Sequence, residues 1–99
     1  LDNVRLLSPR SVSLLTSNQV GALHNPYGLG YSLAFETTDR VGANGLEPAG
    51  AYGWGGAYGS VYRVDPEGRL VLQLMMQLIP NQTVIRSRFQ TLVYQAVVP

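Results

Sequence analysis

The chain has 99 residues, room for one compact unit rather than two, and a unit of this size buries roughly 60–65% of its unfolded surface. Its charged fraction is 13%, about half the usual share, and its net charge of +1 excludes the electrostatic footprint of a nucleic-acid or anionic-membrane binder. All seven cations are Arg, there is no Cys and the one His is His24, so lysine chemistry, disulfides, thiolate catalysis and a self-sufficient zinc site are excluded, and no cofactor or metal is expected.

Ser8 before Pro9 is a helix-start signal, a capping hydroxyl followed by a proline suited to the first turn. Val12, Leu15 and Gln19 then share a face, with Leu14 beside them, and Gly21 is a natural stop, so a helix is predicted over 9–19. Ten of the eleven glycines fall in residues 21–59, interleaved with Tyr27, Tyr31, Tyr52, Trp54 and Tyr58. Leu29, Tyr31, Leu33 and Phe35 alternate with small or polar residues, which predicts one strand, and residues 37–49 read as a surface loop. A hairpin follows: Tyr58, Ser60, Tyr62 and Val64 alternate, Asp65-Pro66-Glu67-Gly68 makes the turn, and residues 69–79 return. Leu70, Leu72, Leu74, Met76 and Leu78 form an apolar face expected to pack on helices. After Pro80, the residues Ile85, Phe89, Leu92 and Ala96, joined by Val93 and Val97, form the clearest helical stripe, with Arg86, Arg88, Gln90 and Gln95 off it. The expected fold is α+β: a three-stranded antiparallel sheet with N- and C-terminal helices packed on a face. No apolar run is long enough to span a membrane, and nothing at the N-terminus reads as a signal peptide.

Most catalytic constellations are incomplete. Gly28-Leu29-Gly30 and Gly53-Trp54-Gly55-Gly56 do not complete a dinucleotide fingerprint, and the second opens a strand. His24 with Asp39 or Asp65 and a serine could be drawn as a triad, but His24 in a loop reads as a surface histidine. Asp65 and Glu67 look like paired carboxylates, but a tight turn wants Asp for backbone hydrogen bonding. The Tyr/Trp/Gly cluster has three readings: close backbone packing filled by aromatics, a stacking platform for sugars, or a cleft wall on an edge strand whose free N–H groups serve as oxyanion donors.

Several segments taken in order carry a resemblance. Leu6-Leu7-Ser8-Pro9-Arg10-Ser11-Val12, Tyr27-Gly28-Leu29-Gly30-Tyr31, Gly53-Trp54-Gly55-Gly56-Ala57-Tyr58-Gly59-Ser60, Val64-Asp65-Pro66 and Leu72-Gln73-Leu74-Met75-Met76-Gln77 are similar to the C-terminal part of the serine β-lactamase-related family. That family includes class C β-lactamases, DD-peptidases and family VIII carboxylesterases, and the chain is closest to the esterase-like branch, where Trp-Gly-Gly is found. The resemblance implies a fragment of the β-lactamase/transpeptidase-like fold, with residues 1–99 as a single, incomplete C-terminal segment. The start at Leu1 rather than Met agrees with a processed product, an excised domain or a fragment.

The family's chemistry is acyl transfer through a serine in Ser-x-x-Lys, activated by that lysine and by the tyrosine of Tyr-x-Asn. This chain has no Lys and no Tyr-x-Asn, so by itself it is expected to be inactive. Trp54-Gly55-Gly56 occupies the place of the third family motif, Lys-Thr-Gly or His-Thr-Gly. Ala57 matches the residue whose backbone N–H joins the oxyanion hole, a donor typically worth ~3–4 kcal/mol. The implied site is Ala57 as oxyanion donor with Trp54, Gly55, Gly56 and Tyr58 lining the substrate. The implied partners are a small ester or amide and the N-terminal remainder of the same fold. Trp54-Gly55 offers neither the cation nor the hydroxyl that Lys-Thr gives a carboxylated substrate, so uncharged esters are favoured over β-lactams. Asn81 falls near a substrate-contacting asparagine of some class C members. The alternatives are a non-catalytic aromatic-rich binding module, for a glycan or another small ligand, and an interaction domain without a small ligand.

Overall fold

In a computed structural model, which describes residues 2–97, helix α1 spans Pro9–Thr16 and starts as Ser8 dictates. The Ser8 Oγ accepts from the Ser11 N–H at 3.1 Å. The helix stops three residues before the expected end. Asn18 turns its side chain to the Gly21 carbonyl at 2.8 Å and to Asp39 at 2.7 Å, and the Gln19 N–H donates to the Tyr31 carbonyl at 2.9 Å. Local side-chain hydrogen bonds of this kind compete with helix continuation.

The class is α+β, but the sheet has five strands rather than three. They are β1 (Leu29–Tyr31), β2 (Glu36–Thr38), β3 (Tyr52–Gly55), β4 (Val61–Asp65) and β5 (Leu70–Leu74), antiparallel and ordered as in sequence. The strand expected through Leu29 and Phe35 is two strands joined by a tight turn at Ser32. Its Oγ accepts from the Ala34 and Phe35 N–H groups at 3.2 and 2.9 Å, and its N–H donates to the Phe35 carbonyl at 2.7 Å. The alternation runs on through this turn, which hid it. Thr37 and Thr38, expected in a loop, pair within β2. The β4–β5 hairpin is as expected: Asp65 opposes Leu70, and the Asp65 Oδ1 accepts from the Gly68 N–H at 2.8 Å. The return strand is shorter, because beyond Leu74 the chain leaves the ladder and the Met76 N–H donates to the Ser60 side chain.

Helix α2 (Ile85–Ala96) packs on β5, but only Phe89 and Val93 of its apolar stripe turn inward. The half-buried positions are Arg86, Phe89, Gln90, Thr91, Val93 and Tyr94, whereas Leu92 is 65% exposed and Ile85 44%. The inward polar side chains have partners beneath them: Tyr94 meets the buried Asp65, and Arg86 and Gln90 reach loop carbonyls of Gly56, Gly59 and Asn44. Among the described residues only Ala51 and Leu72 are buried apolar side chains, against six polar ones: Ser32, Thr37, Thr38, Glu47, Arg63 and Asp65. The expected apolar face of β5 therefore holds at Leu72, while Val71 on the other face is 70% exposed.

Tyr94 ties α2 to the hairpin by donating to the Asp65 Oδ2 at 3.0 Å. Burial, and then the Asp65 carboxylate, push its phenol well above the usual 10.0. The folded state thus holds the proton where the unfolded chain releases it. Stability from this contact is complete below about pH 10 and is lost as the pH rises above it. Urea midpoints should fall between about pH 10 and 11.5 in the parent chain. Tyr94→Phe should be less stable at pH 8 but flatter across that interval. An equal slope in the variant would remove Tyr94 as the cause.

Candidate functional site

Strand β3 ends at Gly55, and the next four residues form a turn in which the Gly59 N–H donates to the Gly56 carbonyl at 3.1 Å. The turn closes against β4, with the Gly56 N–H donating to the Ser60 carbonyl at 2.8 Å, and against the chain after β5, with the Leu78 N–H donating to the Tyr58 carbonyl at 2.9 Å. Gly59 has φ +96°, and a Cβ there would displace the Asn81 amide and the Met76 thioether, so a side chain at this position is strained. Asn81 is accordingly a buttress for the turn. Its other amide atom accepts from the Thr83 N–H at 3.1 Å.

Trp54 and Gly55 line a cavity of about 360 Å³ between the sheet and α2, with Glu36, Arg63, Arg86 and Phe89. Trp54, Gly55 and Gly56 also border a hollow of about 340 Å³ with Tyr62 and Met75. Tyr58 lies apart from both, beside Met76 and Leu78. Ala57 is exposed and borders none of the three, and its N–H has no hydrogen-bond partner among the described residues. Three of the five expected residues, Trp54, Gly55 and Gly56, thus share one corner, Ala57 follows them in the chain without lining it, and Tyr58 stands off.

His24 is exposed, the surface histidine expected of it, and it is paired. His24 Nε2 lies 2.8 Å from the Glu36 Oε2, and its ring is 5.5 Å from that of Tyr31, which meets Trp54 edge-on at 5.1 Å. The triad drawn from His24 does not form. Asp39 is bound to Asn18 and Thr37, and Asp65 to Gly68 and Tyr94. Asp65 has the turn role expected of it, and Glu67 is exposed.

Two groups escaped the sequence reading. One is the pair Arg63–Glu47: Arg63 Nε and Nη2 donate to Glu47 at 2.7 and 2.8 Å, with Glu47 fully buried. Arg63 also reaches the Thr38 hydroxyl at 3.1 Å and Glu36 at 3.4 Å. An arginine at the centre of a strand, flanked by Tyr62 and Val64, was the available signal, since such a position demands a buried acid. The other is Arg86. It donates through Nε to the Gly59 carbonyl at 2.7 Å and through Nη2 to the Gly56 carbonyl, spanning the turn.

Among the described residues no three His, Cys, Asp or Glu side chains gather to hold a metal, and no helix is long and apolar enough to cross a membrane. No family model matches the chain. It is similar to two proteins of Mycobacterium tuberculosis, "Uncharacterized protein MT1414" (strain CDC 1551 / Oshkosh) and "Protein Rv1367c" (strain ATCC 25618 / H37Rv). Each is 31% identical over 100 residues, an alignment covering 85% of this chain and 24% of the relative. The chain therefore spans about a quarter of the length of the curated relatives it matches.

Proposed function

We propose that the chain is the C-terminal part of a serine hydrolase of the β-lactamase-related family, from its esterase-like branch, and that it supplies one cleft wall and one oxyanion donor. The observation that carries this reading is the Ala57 N–H, which follows the cavity-lining end of β3 and meets no acceptor among the described residues. In the proposed reaction a serine outside residues 1–99 attacks an ester carbonyl. Charge gathers on the carbonyl oxygen, where the Ala57 N–H and the serine's own N–H stabilise it; the serine proton passes through the activating base, also outside residues 1–99, to the departing alcohol, and water then cleaves the acyl-serine to the acid.

Other features support the reading. An antiparallel sheet carrying a C-terminal helix is what a fragment of the β-lactamase/transpeptidase-like fold would contain. Val71 on the sheet and Leu92 on the helix leave apolar surface uncovered, as in a segment whose neighbours lie elsewhere in a longer polypeptide. Trp54 borders the cavity where a carboxylate-binding Lys-Thr would otherwise stand, and the nearby Arg86 guanidinium is engaged by two main-chain carbonyls.

The full-length polypeptide carrying this segment should hydrolyse short p-nitrophenyl esters and be labelled on serine by a fluorophosphonate. Its kcat/KM for a carboxylated β-lactam should be at least about tenfold lower than for the ester, the loss of roughly one charged contact. Residues 1–99 alone should show no turnover. A polypeptide that is neither labelled nor active on esters would overturn the reading.

The row His24, Tyr31 and Trp54 favours a second reading, a stacking platform for a glycan. Trp54 is the one tryptophan in the chain, so its fluorescence reports on such binding directly. Saturable quenching by oligosaccharides in a polypeptide that resists the fluorophosphonate would favour this alternative.

A further inference from the structure

We infer that Arg86 is a positioning residue for the oxyanion donor: its guanidinium fixes and polarises the peptide group whose N–H belongs to Ala57. The inference rests on the acyl-transfer reading above and names a part of its machinery outside the resemblance.

The carbonyl of Gly56 and the N–H of Ala57 belong to one planar trans peptide unit, so they point in opposite directions. Arg86 Nη2 donates to that carbonyl, which also accepts the Gly59 N–H at 3.1 Å. Holding the carbonyl inward against α2 turns the Ala57 N–H outward. A bond from a cation withdraws electron density from the carbonyl and makes the N–H at the other end of the amide a stronger donor. Through Nε, Arg86 also holds the Gly59 carbonyl at 2.7 Å, so the guanidinium fork grips both ends of the turn and opposes rotation of the plane between them.

Two further observations mark Arg86 as more than a surface cation. A Cβ on Gly55 would lie 3.0 Å from Arg86 Nη1, so the glycine keeps space for the guanidinium at the cavity wall. Arg86 also stands in the first turn of α2, which holds no acidic residue, although a cation there opposes the helix dipole. A locally unfavourable placement is expected where a residue serves a site.

The test uses the full-length polypeptide. Fluorophosphonate labelling of the unaltered protein decides the acyl-transfer reading first, and absence of labelling together with absence of ester hydrolysis overturns both statements. With labelling in hand, Arg86→Ala should lower kcat on a p-nitrophenyl ester about 10- to 100-fold, part of the value of one oxyanion donor, with KM changed less than about threefold. Added methylguanidinium should restore part of the lost kcat. Arg86→Lys keeps the charge but not the fork, so it should fall between the two. It also decides the matter if Arg86→Ala does not fold. Full kcat in Arg86→Lys, or full kcat in a folded Arg86→Ala, overturns the positioning role and leaves the acyl-transfer reading standing.

Discussion

Ala57→Pro in the full-length polypeptide should lower kcat for ester hydrolysis about 10²- to 10³-fold while leaving the fold intact. The substitution deletes one atom of interest, the amide hydrogen. Ala57 is the second residue of the four-residue turn, has no positive φ, and its N–H bonds to nothing among the described residues. Proline is favoured at that place in a type I or II turn, and the preceding residue, Gly56, tolerates the restriction that proline imposes. The stability change should therefore stay within about 0.5 kcal/mol, the usual range for a surface substitution without structural partners. Ala57→Gly keeps the N–H and should keep most of the activity. If Ala57→Pro turns over esters at the parental rate, the amide takes no part in the reaction.

Arg63→Ala should be the most destabilising single change in the chain, at about 3–5 kcal/mol, because it strands a buried carboxylate. Glu47 is fully buried and Arg63 only 4% exposed. Without Arg63 the carboxylate keeps only the Thr38 hydroxyl and the Asn44 amide, neither of which neutralises it. A native stability is typically 5–15 kcal/mol, so the variant should be largely unfolded or have a sharply lowered urea midpoint. Replacing both partners, Glu47→Leu with Arg63→Met, should recover most of the loss, since exchanging a whole buried pair for apolar groups is often neutral. A loss below about 1 kcal/mol for Arg63→Ala would mean that water reaches Glu47.

The sequence was legible where local chemistry acts alone. Ser8-Pro9 marks α1, the Asp65 turn sets the β4–β5 register, and the spacing of Ile85, Phe89 and Ala96 marks α2. It was illegible where partners are distant. Ser32 makes a turn by binding its own neighbours, yet the alternating pattern on either side reads as one strand. Glu47 lies in a loop sixteen positions before Arg63, and only the folded sheet brings the two together. Periodicity found the right helix but only part of its inward face, Phe89 and Val93, because apolar spacing does not reveal that Arg86, Gln90 and Tyr94 find hydrogen-bond partners beneath the helix. Of the candidate site, the Trp54-Gly55-Gly56-Ala57 corner was named from its residues, whereas Arg86, counted off the stripe, required coordinates.

The rotation of α2 bears on how the unit assembles. Its inward side is held by directional bonds from Arg86, Gln90 and Tyr94, and its greasy side, at Ile85 and Leu92, faces out. Such a helix can dock in correct register before any large oily area is removed from water, since angles rather than dewetting select the fit. Dewetting is left to whatever covers the outward side, which in the proposed reading is the rest of a longer polypeptide.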